Sequence, residues 1–185
     1  INPWICSKLE SWLNSLGLHS CHTEVFYTHP NHGEIPIHCD DVSLDNRAKI
    51  NITYGPDSGT IRWWKSNNTK EIVGTDAAQE MLGSEAVSDD FSERTHHNLV
   101  ALKEDCKLVH EVNTNKVSLV NVGQLHSTYN PDPNNGRWTL CFVPASRKIL
   151  KISGRRHLTF EEAVEVYGDY IICLLYTSDA DDDSL

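Results

Sequence analysis

From residue 23 to residue 143 the chain is written as short extended segments cut by turn residues, and that rhythm restricts the fold more than any other feature. Its clearest instance is residues 48–54, where Ala48, Ile50, Ile52 and Tyr54 alternate with Lys49, Asn51 and Thr53. Successive side chains of a strand point to opposite faces, so this segment predicts a strand with one apolar and one polar face. Further strands are expected at 23–28, 35–40, 60–65, 99–102, 107–112, 116–122, 125–129 and 137–143. Between them stand His29-Pro30-Asn31-His32-Gly33, Gly55-Pro56-Asp57-Ser58-Gly59 and Asn130-Pro131-Asp132-Pro133-Asn134-Asn135-Gly136, whose Pro, Gly, Asn and Asp favour turns. The whole predicts a mainly β chain, a sandwich or jelly roll with flanking helices.

The helices are expected near the two ends. Asn2-Pro3 offers a cap and a first-turn proline, Ile5, Leu9, Trp12, Leu13 and Leu16 follow at helical spacing, and Gly17 closes the segment. Thr159-Phe160-Glu161-Glu162 is a capping box opening a helix through about Tyr167. Residues 66–98 are polar and irregular, an expected insertion over one end of the sheet, in which Asp76 and Gln79 would cap a short helix through Met81.

With 185 residues the chain fits one domain, expected over 1–172. Its 39% hydrophobic and 23% charged residues are those of a globular protein. No apolar run approaches the roughly 20 residues of a membrane span, and no signal peptide is visible. The start at Ile1 suggests a fragment or trimmed product, and residues 173–185 resemble translated sequencing-adapter DNA, an expected non-native tail. Setting aside the tail's Asp179, Asp181, Asp182 and Asp183 brings the net charge from −10 to −6. An acidic chain argues against a nucleic-acid backbone binder, and Arg155-Arg156-His157 reads as solvated surface. Six cysteines without a C-x-x-C pair are expected to be reduced, buried thiols of a cytoplasmic protein.

Chemistry enters with Ile37-His38-Cys39-Asp40. A histidine and a carboxylate two positions apart on a strand share a face. With His126 they make two imidazoles and one carboxylate, a set that suits a non-haem Fe(II) needing open positions for a co-substrate and dioxygen. Arg137, 11 positions after His126, is placed to hold the far carboxylate of a keto-acid by a bidentate contact. A guanidinium in an apolar barrel is costly without an anion, a separate reason to expect a ligand beside it. The pairs His19/His22 and His29/His32 have no partner pair at zinc-finger spacing and are read as loop histidines.

This constellation resembles the 2-oxoglutarate and Fe(II)-dependent oxygenases of the double-stranded β-helix (jelly-roll) superfamily, in particular small phage and marine-bacterial members related to prolyl-hydroxylase-type enzymes. The resemblance runs through Val25-Phe26-Tyr27, Ile37-His38-Cys39-Asp40, Ala48-Lys49-Ile50-Asn51-Ile52, Val120-Asn121-Val122-Gly123-Gln124-Leu125-His126 and Arg137-Trp138-Thr139-Leu140-Cys141-Phe142, about residues 23–145. It implies that His38, Asp40 and His126 hold iron and that Arg137 pairs with 2-oxoglutarate. Thr139 and Tyr27 would add hydroxyls beside the same carboxylate, and Asn51 would touch co-substrate or substrate. The implied activity is hydroxylation of an unactivated C–H with release of succinate and carbon dioxide. The substrate, a small molecule or a peptidyl side chain, is not legible. Two other readings remain open: a non-catalytic jelly-roll binding module, and a cupin-like metalloenzyme that uses no keto-acid.

Overall fold

The computed structural model describes residues 6–40, 48–73, 97–113, 117–146 and 156–170. Helix α1 (Ser7–Ser15) leads into β1 (Leu18–Thr28), β2 (Gly33–Glu34), β3 (Ile37–Cys39), β4 (Ala48–Tyr54), β5 (Thr60–Lys65) and β6 (Lys70–Val73). There follow β7 (His97–Ala101), β8 (Lys107–Asn113), β9 (Ser118–Asn121), β10 (His126–Asn130), β11 (Arg137–Ser146), β12 (Arg156–His157) and helix α2 (Phe160–Tyr167). Among the described residues all strand pairings are antiparallel, in two sheets. One has the order β1-β11-β4-β9 with β12 beside β11; the other runs β6-β7-β3-β10-β5-β8 with β2 beside β10. This architecture is compatible with a β-sandwich.

The sheets meet where Val120 and Val122 of the first pack on Ile61 and Trp63 of the second. Across the same interior the Trp63 indole N–H donates to the Asn121 carbonyl at 3.1 Å. The helices lie on the other side of the first sheet. Leu13 of α1 and Ala163 and Tyr167 of α2 bury Ala48, Ile50 and Phe142. The apolar face of β4 therefore points outward, under the helices, and its polar face points inward. That inversion brings Lys49, Asn51 and Thr53 to the interior, where polar groups are costly unless they find partners.

Both expected helix signals act. Gly17 has φ +74°, the left-handed position that ends α1. Thr159 accepts from the Glu162 N–H while the Glu162 side chain accepts from the Thr159 N–H. The Asn2-Pro3 start, the helix through Met81 and the tail lie outside the described residues. Part of the expected irregular insertion is sheet instead: β6 pairs with β7, which extends the second sheet from β3. Alternation is too brief in the four residues of β6 for the sequence to reveal it. Of the expected loop histidines, His19 and His22 stand on β1.

Candidate metal centre

His38 and His126 are direct cross-strand partners of β3 and β10, with ring centroids 4.6 Å apart. Asp40 follows β3 by one residue, on the same face as His38, and its N–H donates to the Val122 carbonyl at 2.9 Å. That bond ties the ligand-bearing strand to the turn between β9 and β10. The candidate ligand atoms of His38, Asp40 and His126 all lie within 4.8 Å of one another, the one such group among the described residues. Residues 86 positions apart in the chain are thus brought together by the pairing of β3 with β10.

The hydrogen bonds prepare the imidazoles. His38 Nδ1 lies 2.8 Å from the Pro36 carbonyl, and His126 Nδ1 lies 2.8 Å from the Gln124 carbonyl. A carbonyl only accepts, so each Nδ1 carries the proton and, in the neutral ring, Nε2 keeps its lone pair. Nε2 of His38 and of His126 lie 3.3 Å and 3.9 Å from Asp40 Oδ1. His126 is 6% exposed, and burial followed by the neighbouring His38 pushes its pKa down to about 4. A neutral imidazole lone pair therefore faces a carboxylate oxygen, an arrangement that a bound cation relieves. Burial alone would raise the Asp40 pKa, but Lys49 and the two histidines hold it well below the usual carboxylate range.

Arg137 opens β11 on the opposite sheet. It shares the inward face with Thr139 and Cys141, since Cys141 lies across from Asn51 of β4 and Thr139 from Thr53. The guanidinium is 1% exposed, and its Nε and Nη2 have no partner among the described residues. Burial lowers its pKa to about 10. Asn51 Oδ1 and Thr53 Oγ1, on the same inner face, are also buried without partners. Buried polar groups are nearly always satisfied, so these three side chains leave hydrogen-bonding capacity that a polar ligand or water would take up. The guanidinium stem runs beside the β4–β5 turn, where a Cβ on Gly55 would lie 3.0 Å from Arg137 Cα and one on Gly59 would lie 3.2 Å from its Cδ.

Tyr27 does not join this set. It registers with Trp138, one residue out of phase with Arg137 and Thr139, and its ring packs against Trp138 and, edge-on, against His29 on the outer side of the sheet. Strand parity is the reason: Phe26, not Tyr27, lies opposite Thr139. Cys39 points away from the histidines into a cluster with Ile37 and Leu125, where burial pushes its thiol up to about 11. Of the cysteines expected to be buried thiols, Cys39 and Cys141 are buried and unbridged, whereas Cys6 is exposed and Cys106 half-buried. Trp64 leaves the interior as well, donating to Ser127 Oγ at 2.8 Å.

Two residues escaped the sequence reading. Lys49 Nζ is paired with Asp40 Oδ2 at 2.5 Å and with Glu24 Oε2 at 3.1 Å. Its place on the polar face of 48–54 was visible; its partner on another sheet was not. Thr53 carried the same signal. Among the described residues no helix is long and apolar enough to cross a membrane. Comparisons with protein-family models, curated proteins and solved structures found no match.

Proposed function

We propose that this chain is an Fe(II)- and 2-oxoglutarate-dependent dioxygenase, a hydroxylase on a double-stranded β-helix. The observation that carries the reading is a pair of half-sites facing the interior from opposite sheets. Two imidazoles and a carboxylate converge on one point of the interior, and the inward face of the other sheet bears a buried guanidinium with no anion among the described residues. The first suits a cation with positions left open; the second suits a carboxylate. A keto-acid with a second, distal carboxylate is a class of molecule that would use both. Strand succession supports the fold: β1, β4, β9 and β11 fall in one sheet and β3, β5, β8 and β10 in the other. Eight core strands divided four and four in this interleaved way suit a jelly roll.

Iron bound there would supply the oxidation, in which dioxygen and 2-oxoglutarate yield succinate, carbon dioxide and a hydroxylated C–H. The protein's own share is positional. Pro36 and Gln124 carbonyls orient His38 and His126, and Asp40 presents Oδ1 between them. Arg137 would grip the distal carboxylate of 2-oxoglutarate, with Thr139 beside it on the same strand face. Asn51 and Thr53 would complete the polar wall against co-substrate or substrate.

Anaerobic titration with Fe(II) and then 2-oxoglutarate tests the reading. A weak visible charge-transfer band should develop in the wild type and be absent from His126→Ala, which should also form no succinate. Metal uptake without any response to 2-oxoglutarate would favour a cupin-like metalloenzyme. No metal uptake would leave a binding module.

A further inference from the structure

We propose that Lys49 is a positioning residue of the metal centre: its ammonium occupies one oxygen of Asp40, so that the carboxylate meets a cation through the other oxygen alone and one more position stays open. The inference rests on the metal-centre reading above. Lys49 stands on β4, in the sheet opposite the histidines, and reaches across the interior. Its Nζ lies 2.5 Å from Asp40 Oδ2, whereas Oδ1 of the same carboxylate faces the imidazoles at 3.3 and 3.9 Å. A carboxylate with both oxygens free can chelate a cation through the pair. Here the two oxygens have been divided between an ammonium and the space between the histidines.

Glu24 of β1 makes the division durable. It holds the same ammonium at 3.1 Å, so Lys49 is fixed between two strands and its charge is balanced. The Lys49 side chain is only 12% exposed, and a buried ammonium persists only where carboxylates compensate it. Beside a dication that ammonium is repulsive. Lys49 therefore lowers the affinity of the centre for metal while setting the geometry of its ligand. Loss of Lys49 should tighten metal binding and weaken the chelating keto-acid, two effects of opposite sign that a merely structural ion pair does not produce.

The test uses metal-free wild-type protein, Lys49→Met, Lys49→Arg and Glu24→Gln, titrated anaerobically with Co(II) and then with 2-oxoglutarate, by calorimetry and visible d–d absorption. Lys49→Met should bind Co(II) at least threefold more tightly, bind 2-oxoglutarate at least tenfold more weakly and show shifted d–d bands. Lys49→Arg should stay within threefold of the wild type in both affinities. Glu24→Gln keeps the Lys49–Asp40 pair but removes its counter-charge, so its Co(II) affinity should fall at least threefold. Unchanged bands in Lys49→Met, or both affinities falling together, overturn the proposal. Should Lys49→Met not fold, Glu24→Gln decides, and an unchanged or raised Co(II) affinity overturns it. A wild type that takes up no Co(II) brings down the metal centre itself, a failure distinct from these.

Discussion

Arg137 is the residue whose surroundings say most. Arg137 is buried with no anionic partner among the described residues, and a guanidinium so placed destabilises the ligand-free protein, because its desolvation is not recovered. Arg137→Met keeps the volume and removes the charge, so it should raise the free energy of unfolding of the ligand-free protein by about 1–3 kcal/mol. The same change should weaken 2-oxoglutarate binding by about tenfold to hundredfold, the worth of a charge-assisted bidentate contact. Urea denaturation and calorimetry on one preparation check both; a variant less stable than the wild type would mean the guanidinium has a structural anion. His126 makes a second prediction, from its pKa of about 4 against an ordinary 6.5. Above pH 6.5 the ring is neutral whether the chain is folded or not, and stability is unaffected. Between 6.5 and 4 the unfolded chain takes up a proton that the folded one refuses, so stability falls with pH, by about 3 kcal/mol in all. Below 4 this loss levels off. Urea midpoints of metal-free protein at pH 7 and pH 4.5 should diverge in the wild type and converge in His126→Gln. Tyr27 shows where residue-level reading fails: counting 11 positions back from His38 does not fix strand parity when an unknown turn intervenes.

At the level of elements, the β4–β5 turn is as much part of the proposed anion site as β11. Gly55 and Gly59 give Arg137 its channel, and a methyl group on Gly55 would press on Arg137 main chain. Gly55→Ala should therefore cost about 1–3 kcal/mol of stability, the range for overpacking, and weaken 2-oxoglutarate binding by about tenfold. Gly17→Ala is the control. Gly17 has φ +74° and no neighbour near its missing Cβ, so the change should cost about 1 kcal/mol through backbone strain alone and leave 2-oxoglutarate binding intact. Equal effects of both on ligand affinity would remove the turn from the site. The chain announced this turn plainly, through Gly-Pro-Asp-Ser-Gly between two alternating strands, and it announced the capping box of α2 as plainly. Such signals are local, carried by a few adjacent residues. The direction in which β4 turns its polar face was not local. The apolar row of Ala48 and Ile50 is covered by Leu13, Ala163 and Tyr167, far away in the chain, and only that cover sends Lys49, Asn51 and Thr53 inward.

Across the whole molecule the candidate site is split between the two sheets. His38 and His126 belong to one, while Arg137, Thr139, Asn51, Thr53 and Lys49 belong to the other. Residue types and spacings pointed to His38, Asp40, His126, Arg137, Thr139 and Asn51, but not to Lys49 or Thr53. Which strand neighbours which is set by long-range pairing, and no spacing of 86 residues between Asp40 and His126 could have disclosed it. The division has a thermodynamic consequence. On the proposed reading a metal ion would engage one sheet, whereas 2-oxoglutarate held by both the metal and Arg137 would link the two. A ligand bound only by the native state stabilises it by about 2.7 kcal/mol at a hundred times its dissociation constant, and that stabilisation is felt wherever opening breaks the contact. Co(II) alone should slow amide exchange in β3 and β10. Adding 2-oxoglutarate should extend the protection to β4 and β11 in the wild type but not in Arg137→Met, and not in metal-free protein. Protection that stays within the histidine-bearing sheet after 2-oxoglutarate is added would mean that the keto-acid never reaches the guanidinium, and the two half-sites would have to be assigned to different ligands.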